Sequence, residues 1–322
     1  MSDIILVAGA GGFIGGHLAA DLLRQGKRVR AVDVKPEEDW WQVFPGAENI
    51  QLDLGCDEHC WEAVQGGVGR VYNLAADIGG IGFIESNKSS CMLNVLINTH
   101  LLMAAVEADV ESYFFSSSAC VYAAGAQGET ASPALRESDA YPAMPEDGYG
   151  WEKLFSERMC RHFAEDRGIN ATVARFHNVY GPHGTWTGGR EKAPAAICRK
   201  VIEAKLSGSN EISIWGDGEQ TRSFMWIDDC VEGIQRIADS DVTEPLNLGS
   251  SERVSINQLV SMVEEIAGVK LGRAYQPDAP RGVAGRSSDN TLIKSYLNWE
   301  PTTPLRTGLE KTYSWVYDQM RA

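Results

Sequence analysis

Residues 4–33 read IILVAGAGGFIGGHLAADLLRQGKRVRAVD, and their order decides the fold. Ile4-Ile5-Leu6-Val7 is an uninterrupted apolar run, the mark of a strand buried on both faces. Gly9, Gly12 and Gly15 follow at once, and Phe13 to Arg24 carries a helical pattern that Gly26 stops. Arg28 to Val32 is a second strand, with Asp33 at its end. In such a strand–turn–helix–strand unit the glycines, with Phe13 and Ile14 between them, let a pyrophosphate approach the helix N-terminus. Asp33 suits the ribose hydroxyls of NAD and would repel the 2′-phosphate of NADP. Lys35, two residues on, is the cation that would favour that phosphate.

The alternation continues outward. Ile50-Gln51-Leu52, Arg70 to Leu74 and Tyr113 to Phe115 read as strands, with a long helix from about Asn87 to Ala108. A helix over Tyr149 to Arg167 and a strand over Ala171 to Phe176 follow. This order predicts right-handed crossovers and an α/β fold with a doubly wound parallel Rossmann sheet. Asp53 follows the third strand, where a polar group reaches the adenine or simply holds a turn; Leu54, and Leu74, Ala75 and Ala76 after the fourth strand, are the other expected cofactor contacts.

After Asn178 the texture changes to YGPHGTWTGGREKAP, and the elements shorten. Helices are expected over Ala193–Ala204, Ile227–Ala238, Ser255–Ala267 and Gly308–Met320, and a strand over Glu211–Trp215. Leu246-Asn247-Leu248 is a buried run placed to return to the first sheet. The expected division is a dinucleotide-binding domain over 1–177, with a return segment at about 226–249. Segments 178–225 and 250–322 then form a smaller mixed α/β substrate-binding lobe, with the ligand between the two.

The chain has 322 residues, 43% of them apolar, so it can bury a substantial core. It carries 29 Lys+Arg against 44 Asp+Glu, a net charge of −15, which argues against nucleic acid as a partner. An anionic ligand needs a local cluster of cations instead. No stretch reaches about 18 uncharged apolar residues, so no membrane span is expected. Ile4 to Ala20 is broken by glycines and preceded by Asp3, unlike a signal peptide. The seven cysteines include no CxxC pair, and Cys56, His59 and Cys60 lack further ligands, so no metal is expected. Reduced thiols and a cytoplasmic location are the expectation.

Tyr149-Gly150-Trp151-Glu152-Lys153 puts a phenol and an ammonium on one helix face. A tyrosine titrates near about 10, so acid–base work at neutral pH needs a nearby cation such as Lys153. Ser116-Ser117-Ser118 ends the fifth strand at the carboxyl edge, where Ser118 can bond the same hydroxyl. Cys120 lies two residues on, a thiol that a cation can bring into range as a base or acid. Lys192, just before a helix, is disfavoured as a cation by the helix dipole, which lowers its pKa.

GAGGFIG, the serine run and YGWEK together resemble the extended short-chain dehydrogenase/reductase family, and WGDGEQTRSF (215–224) is similar to the phosphate-binding signature of its nucleotide-sugar enzymes. Where related dehydratases carry Thr-Asp-Glu, this chain has Ser118-Ala119-Cys120, so elimination is not expected. SSSAC, NLAADIGGIGFI and RFHNVYGPHGTWTGGREKAPAAICRK closely resemble the branch that epimerises GDP-mannose at C3 and C5. The resemblance implies Tyr149, Lys153, Ser118, Cys120 and Lys192 as the catalytic set, with transient C4 oxidation by NAD and proton exchange at C5 and C3. It implies Gly79, Ser118, Ala119, Cys120, Asn178, Glu191, Lys192, Ala193 and Lys200 around the sugar and diphosphate, and Gln220, Thr221, Arg222 and Arg286 on the nucleotide and phosphates. Arg222 would otherwise bridge Asp228 or Asp229, and Arg286 would bridge Asp289. A GDP-sugar substrate and a homodimer through the helices near 87–108 and 149–167 are further implications. A 3,5-epimerase/4-reductase similar to GDP-fucose synthase is the rival, against which Lys192 and Asp33 both count; a GDP-heptose epimerase and a non-catalytic dinucleotide sensor are the others.

Overall fold

The computed structural model describes residues 4–279 and 282–321. Its first half is β1 (Ile4–Ala8), α1 (Phe13–Arg24), β2 (Arg28–Asp33), β3 (Glu48–Gln51), α2 (Asp57–Val64), β4 (Val68–Asn73), α3 (Ile81–Ser86), α4 (Lys88–Glu107), β5 (Ser112–Ser118), α5 (Tyr149–Arg167) and β6 (Asn170–Phe176). The rest is β7 (Asn178–Tyr180), α6 (Ala193–Ser207), β8 (Glu211–Trp215), β9 (Thr221–Trp226), α7 (Ile227–Ala238), β10 (Leu246–Leu248), β11 (Arg253–Ser255), α8 (Ile256–Ala267), β12 (Gly272–Gln276), β13 (Gly285–Arg286), α9 (Thr291–Leu297) and α10 (Leu305–Gln319). Seven parallel strands form the main sheet in the order β10-β6-β5-β4-β1-β2-β3. The order reverses between β1 and β4, so a crevice opens there at the carboxyl ends of the strands. β10 joins the sheet beside β6, with Leu246 opposite Ala174.

The remaining strands are two to six residues long and lie beyond that carboxyl edge. β9 is the hub, pairing with β7 and β13 in parallel and with β11 antiparallel. β8 and β12 make a separate parallel pair. One apolar cluster runs from Val7 and Leu18 through Ile197 and Ile234 to Leu259 and Leu309, so both parts of the chain share a core. α4 is long and apolar enough, by length and composition, to cross a membrane. It is instead packed between α2 and α5, burying Asn94, Asn98, Leu101, Leu102, Ala104 and Ala105.

α5 is docked on the sheet by a buried ionic network. Glu157 receives two hydrogen bonds from Arg175 of β6, at 2.9 and 2.8 Å, and a third at 2.5 Å from Ser117 of β5. Arg175 also donates to the Glu137 carbonyl at 2.8 Å, and both the Arg175 and Glu157 side chains are only 2% exposed. Such a pair is costly to desolvate, but removing one partner leaves a buried charge and costs about 3–5 kcal/mol. Glu157→Ala is therefore expected to lower stability by about that amount in chemical denaturation. A loss under about 1 kcal/mol would mean that the network does not dock the helix.

Candidate active site

Gly9, at φ +86°, turns the chain out of β1, and α1 opens at Phe13, directly after Gly12. A Cβ on Gly15 would lie 2.1 Å from the Gly9 carbonyl oxygen, so only glycine lets α1 close on the turn. Gly12 caps the helix, and Phe13 and Ile14 are half-buried behind it. Asp33 is buried at the carboxyl end of β2 and accepts the Lys35 amide at 3.1 Å, while the Lys35 ammonium donates to the Gly11 carbonyl at 2.6 Å. Leu74, Ala75 and Ala76 follow β4, half-buried across the crevice from Gly9. This cradle of backbone and small side chains, with a carboxylate at its far end, fits a dinucleotide. Asp53, exposed beyond β3, accepts the Gly55 amide at 2.9 Å through one carboxylate oxygen, and the Leu54 side chain is buried in the core beside Cys60 and Leu101.

β5 delivers the serines to the edge, and the chain turns through a short 3-10 segment, Ala119–Val121. Ser118 caps that segment, its Oγ accepting the Cys120 amide at 3.2 Å. α5 starts against it: a Cβ on Gly150 would lie 2.3 Å from the Cys120 carbonyl oxygen, so the glycine of YGWEK lets the two backbones touch. Tyr149 thereby lies beside Ser118 and Cys120. Burial pushes the Tyr149 phenol well up, with Cys120 and Glu152 adding to the shift and the nearby Ser118 hydroxyl opposing it. Burial outweighs the expected depression by Lys153, whose ammonium lies over two rings, 4.7 Å from the centre of Phe115 and 5.5 Å from that of Tyr149. Glu152, which the motif alone does not single out, is also buried, 3.9 Å from Lys153 and bonded by Ser156, and burial raises its pKa.

Lys192 reaches the cleft through a clasp between two loops. Asn94 of α4 bonds both the amide and the carbonyl of Asp77, at 2.8 and 3.2 Å. Asp77 takes an ion pair from Arg190 at 2.7 Å, the Gly80 amide donates to the Arg190 carbonyl, and the guanidinium covers the Phe83 ring at 3.8 Å. Gly79 is buried within this clasp, where a Cβ would meet Phe83 at 2.8 Å. Lys192 caps α6, Ala193 begins it, and the lysine keeps accessible surface although protein surrounds it, as a side chain open to a cleft does. Burial, rather than the helix dipole, is the leading cause of its lowered pKa, and Cys120 is near enough to oppose that shift.

The far wall is the β9 hub. Arg222 and Arg286 are register partners on β9 and β13. Arg222 donates to the Thr221 carbonyl at 2.7 Å, and burial pulls it down to about 10, with Cys120 opposing. Asp228 and Asp229 are occupied by Trp226 and Thr303. Arg286 donates to Gln127 at 2.6 Å and pairs with Glu146, and its third nitrogen lies 3.9 Å from the Cys120 sulfur. The alternative partner Asp289 goes to Arg136. Asn178 donates to the Ser223 carbonyl at 3.2 Å, Gln220 to that of Trp215 at 3.0 Å, Thr221 to that of Thr130 at 2.6 Å and Lys200 to that of Ser213 at 2.8 Å. Glu191 accepts the Gly189 amide of its own loop and pairs with Arg199 of α6 at 3.1 Å. Gln127 and Glu146 carry no motif; they gain meaning only from the fold.

Residues 5–249 match the NAD dependent epimerase/dehydratase family. The chain is 46% identical over 317 residues to GDP-mannose 3,5-epimerase of Arabidopsis thaliana, spanning 98% of this chain and 82% of that protein. It is 47% identical, with the same coverage, to GDP-mannose 3,5-epimerase 1 of Oryza sativa subsp. japonica. Among solved structures it resembles the UDP-glucose 4-epimerase of Thermotoga maritima bound to UDP-glucose, with a TM-score of 0.87 at 25% identity over 98% of this chain and 99% of that one.

A lowered Lys192 pKa means a larger neutral fraction at any pH below the ordinary lysine range, and neutral amines acylate. Competitive labelling with acetic anhydride, read by peptide mass spectrometry, is expected to show Lys192 reacting at lower pH than exposed Lys27. Identical pH profiles would show that the site does not perturb Lys192.

Proposed function

The chain belongs to the NAD dependent epimerase/dehydratase family, and from that premise we propose that it is an isomerase, a nucleotide-sugar 3,5-epimerase whose substrate is GDP-mannose and whose products are GDP-L-galactose, GDP-L-gulose or both. The observation that carries the reading is the meeting of Cys120 with Ser118 and Tyr149, with Lys192 entering the same cleft from another loop. The similarity to curated GDP-mannose 3,5-epimerases over 98% of the chain supports the choice of substrate.

NAD, when bound, supplies reversible oxidation at C4 of the sugar. Tyr149, in line with Ser118, takes the C4 hydroxyl proton as a phenolate and later gives it back; burial opposes that form, and positive charge from Lys153 and from bound NAD+ would favour it. Lys153, on the next turn of α5, supplies positive charge beneath the phenol ring. A ketone at C4 acidifies the hydrogens at C3 and C5, because each carbanion is an enolate. Cys120 and Lys192 exchange those protons from opposite faces; a lysine with a lowered pKa is suited to that work. Ala119 leaves no carboxyl beside Ser118 to drive loss of water, so epimerisation competes with no elimination there. Arg222 and Arg286 face the diphosphate, where a bound anion offsets the burial that disfavours the Arg222 charge.

Incubating the purified protein with GDP-mannose in D2O, without added cofactor, tests this by proton NMR. Loss of the H3 and H5 signals with new GDP-hexose products is expected, and Cys120→Ala and Lys192→Ala are each expected to slow exchange at least about 100-fold. Absence of exchange in protein that carries NAD would sink GDP-mannose as the substrate.

The assembly proposed is a homodimer through α4 and α5. Met92, Leu93, Leu96 and Met103 on α4 and Trp151 and Phe155 on α5 are exposed apolar side chains on two helices that pack together, Leu93 at 61% and Phe155 at 58%. Light scattering should give twice the chain mass of 35.2 kDa, and Leu93→Glu/Phe155→Glu half of that. A monomeric wild type would end this assignment. The cysteines, none in a disulfide among the described residues, suit a reducing compartment, and the cytoplasm is the location proposed.

A further inference from the structure

Arg286 already holds an anion of the chain itself. Its guanidinium pairs with Glu146, and the two side chains are only 10% and 16% exposed. Two features separate this carboxylate from a structural brace. Arg286 is independently oriented by Gln127, which accepts from Nε at 2.6 Å, and by its strand register opposite Arg222. The backbone at Glu146 is independently fixed as well: its amide donates to the Cys120 carbonyl at 2.9 Å, and the next residue, Asp147, pairs with Lys88 at 2.8 Å. The Glu146 side chain can therefore leave Arg286 by rotating about its own bonds, with neither loop nor strand disturbed.

We propose that Glu146 is an internal competitor for the substrate's diphosphate, an affinity-setting residue whose carboxylate occupies Arg286 until the nucleotide arrives and reclaims it as the nucleotide leaves. The inference rests on the GDP-sugar reading above, in which Arg286 meets the diphosphate. A diphosphate brings at least two negative charges to Arg222 and Arg286, so the third negative charge, the Glu146 carboxylate, must be displaced or endured, and either costs affinity. The consequence suits an enzyme whose substrate and product carry the same nucleotide diphosphate. Tight binding would stabilise both equally and slow release, whereas a built-in competitor weakens both.

The sign of one measurement decides. Binding of GDP to the NAD-loaded protein is measured by calorimetry for wild type, Glu146→Gln, Glu146→Ala and Arg286→Met, with thermal melting to establish that each is folded. Both Glu146 variants are expected to bind GDP at least about threefold more tightly than wild type, and Arg286→Met at least about tenfold more weakly. Unchanged or weaker binding in folded Glu146→Gln and Glu146→Ala overturns the proposal and makes Glu146 a brace for Arg286. Wild-type binding by Arg286→Met overturns it differently, by removing Arg286 from the anion site. If wild type binds no GDP while it turns over or binds another nucleotide, the GDP-sugar reading itself fails and the proposal falls with it.

Discussion

Glu157 and Arg175 govern where the chemistry can happen. Tyr149, Lys153 and Glu157 recur every four residues along one face of α5, so a rigid helix carries them about 6 Å apart along its axis. The last of the three is locked to β6 by Arg175 and to β5 by Ser117. Ser117 is one residue before Ser118 and three before Cys120. The ionic network that docks the helix is thus bonded to the same strand that ends in the serine and the thiol. A slip of one turn at Glu157 would carry Tyr149 about 5.4 Å from Ser118. A buried ion pair adds little net stability against an apolar substitute, but it permits one register where an apolar face tolerates several.

Around that fixed register the site is assembled from segments far apart in sequence. The main sheet supplies the carboxyl ends of β1, β4 and β5, all facing one side because the strands are parallel. α4 holds the Asp77 loop through Asn94, that loop holds Arg190, and Lys192 follows two residues later. The β9 hub contributes two arginines in register. Backbone contact replaces side chains where segments must meet most closely, at Gly15 on Gly9 and at Gly150 on Cys120.

The parallel sheet was legible because β1 is an apolar run, β2 and β4 to β6 are short segments rich in buried β-branched or aromatic residues, and α1 is opened by a glycine turn. The tyrosine, lysine, serine and cysteine could be named for the same kind of reason, each sitting at a fixed offset within a short motif. Three things were not legible. β7, β11 and β13 are two or three residues long and have no period to read. Side-chain partnerships cross large gaps: Glu146 and Arg286 are 140 residues apart, and nothing near either announces the other. Finally, a motif names a residue type but not its direction. The Leu54 side chain turns into the core and Glu191 pairs with Arg199, directions that no motif states.

The charge distribution joins these observations. A protein of net charge −15 repels an anionic ligand at long range, so attraction has to be built locally. It is built from cations that burial penalises: Arg222, Lys192 and Lys200 all have pKa values lowered chiefly by desolvation. A cation held in that state gains more from an incoming anion than a hydrated one does, because most of its desolvation has already occurred. The same burial that makes an arginine receptive to a diphosphate makes a lysine a usable base, and only what each side chain faces separates the two uses. The pKa of Lys192 is lowered by burial, which the nearby Cys120 and Cys230 thiols only partly oppose, and Arg286 faces the Glu146 carboxylate and Gln127. Chemistry and recognition in this cleft thus draw on one physical resource, desolvated positive charge, divided by its neighbours.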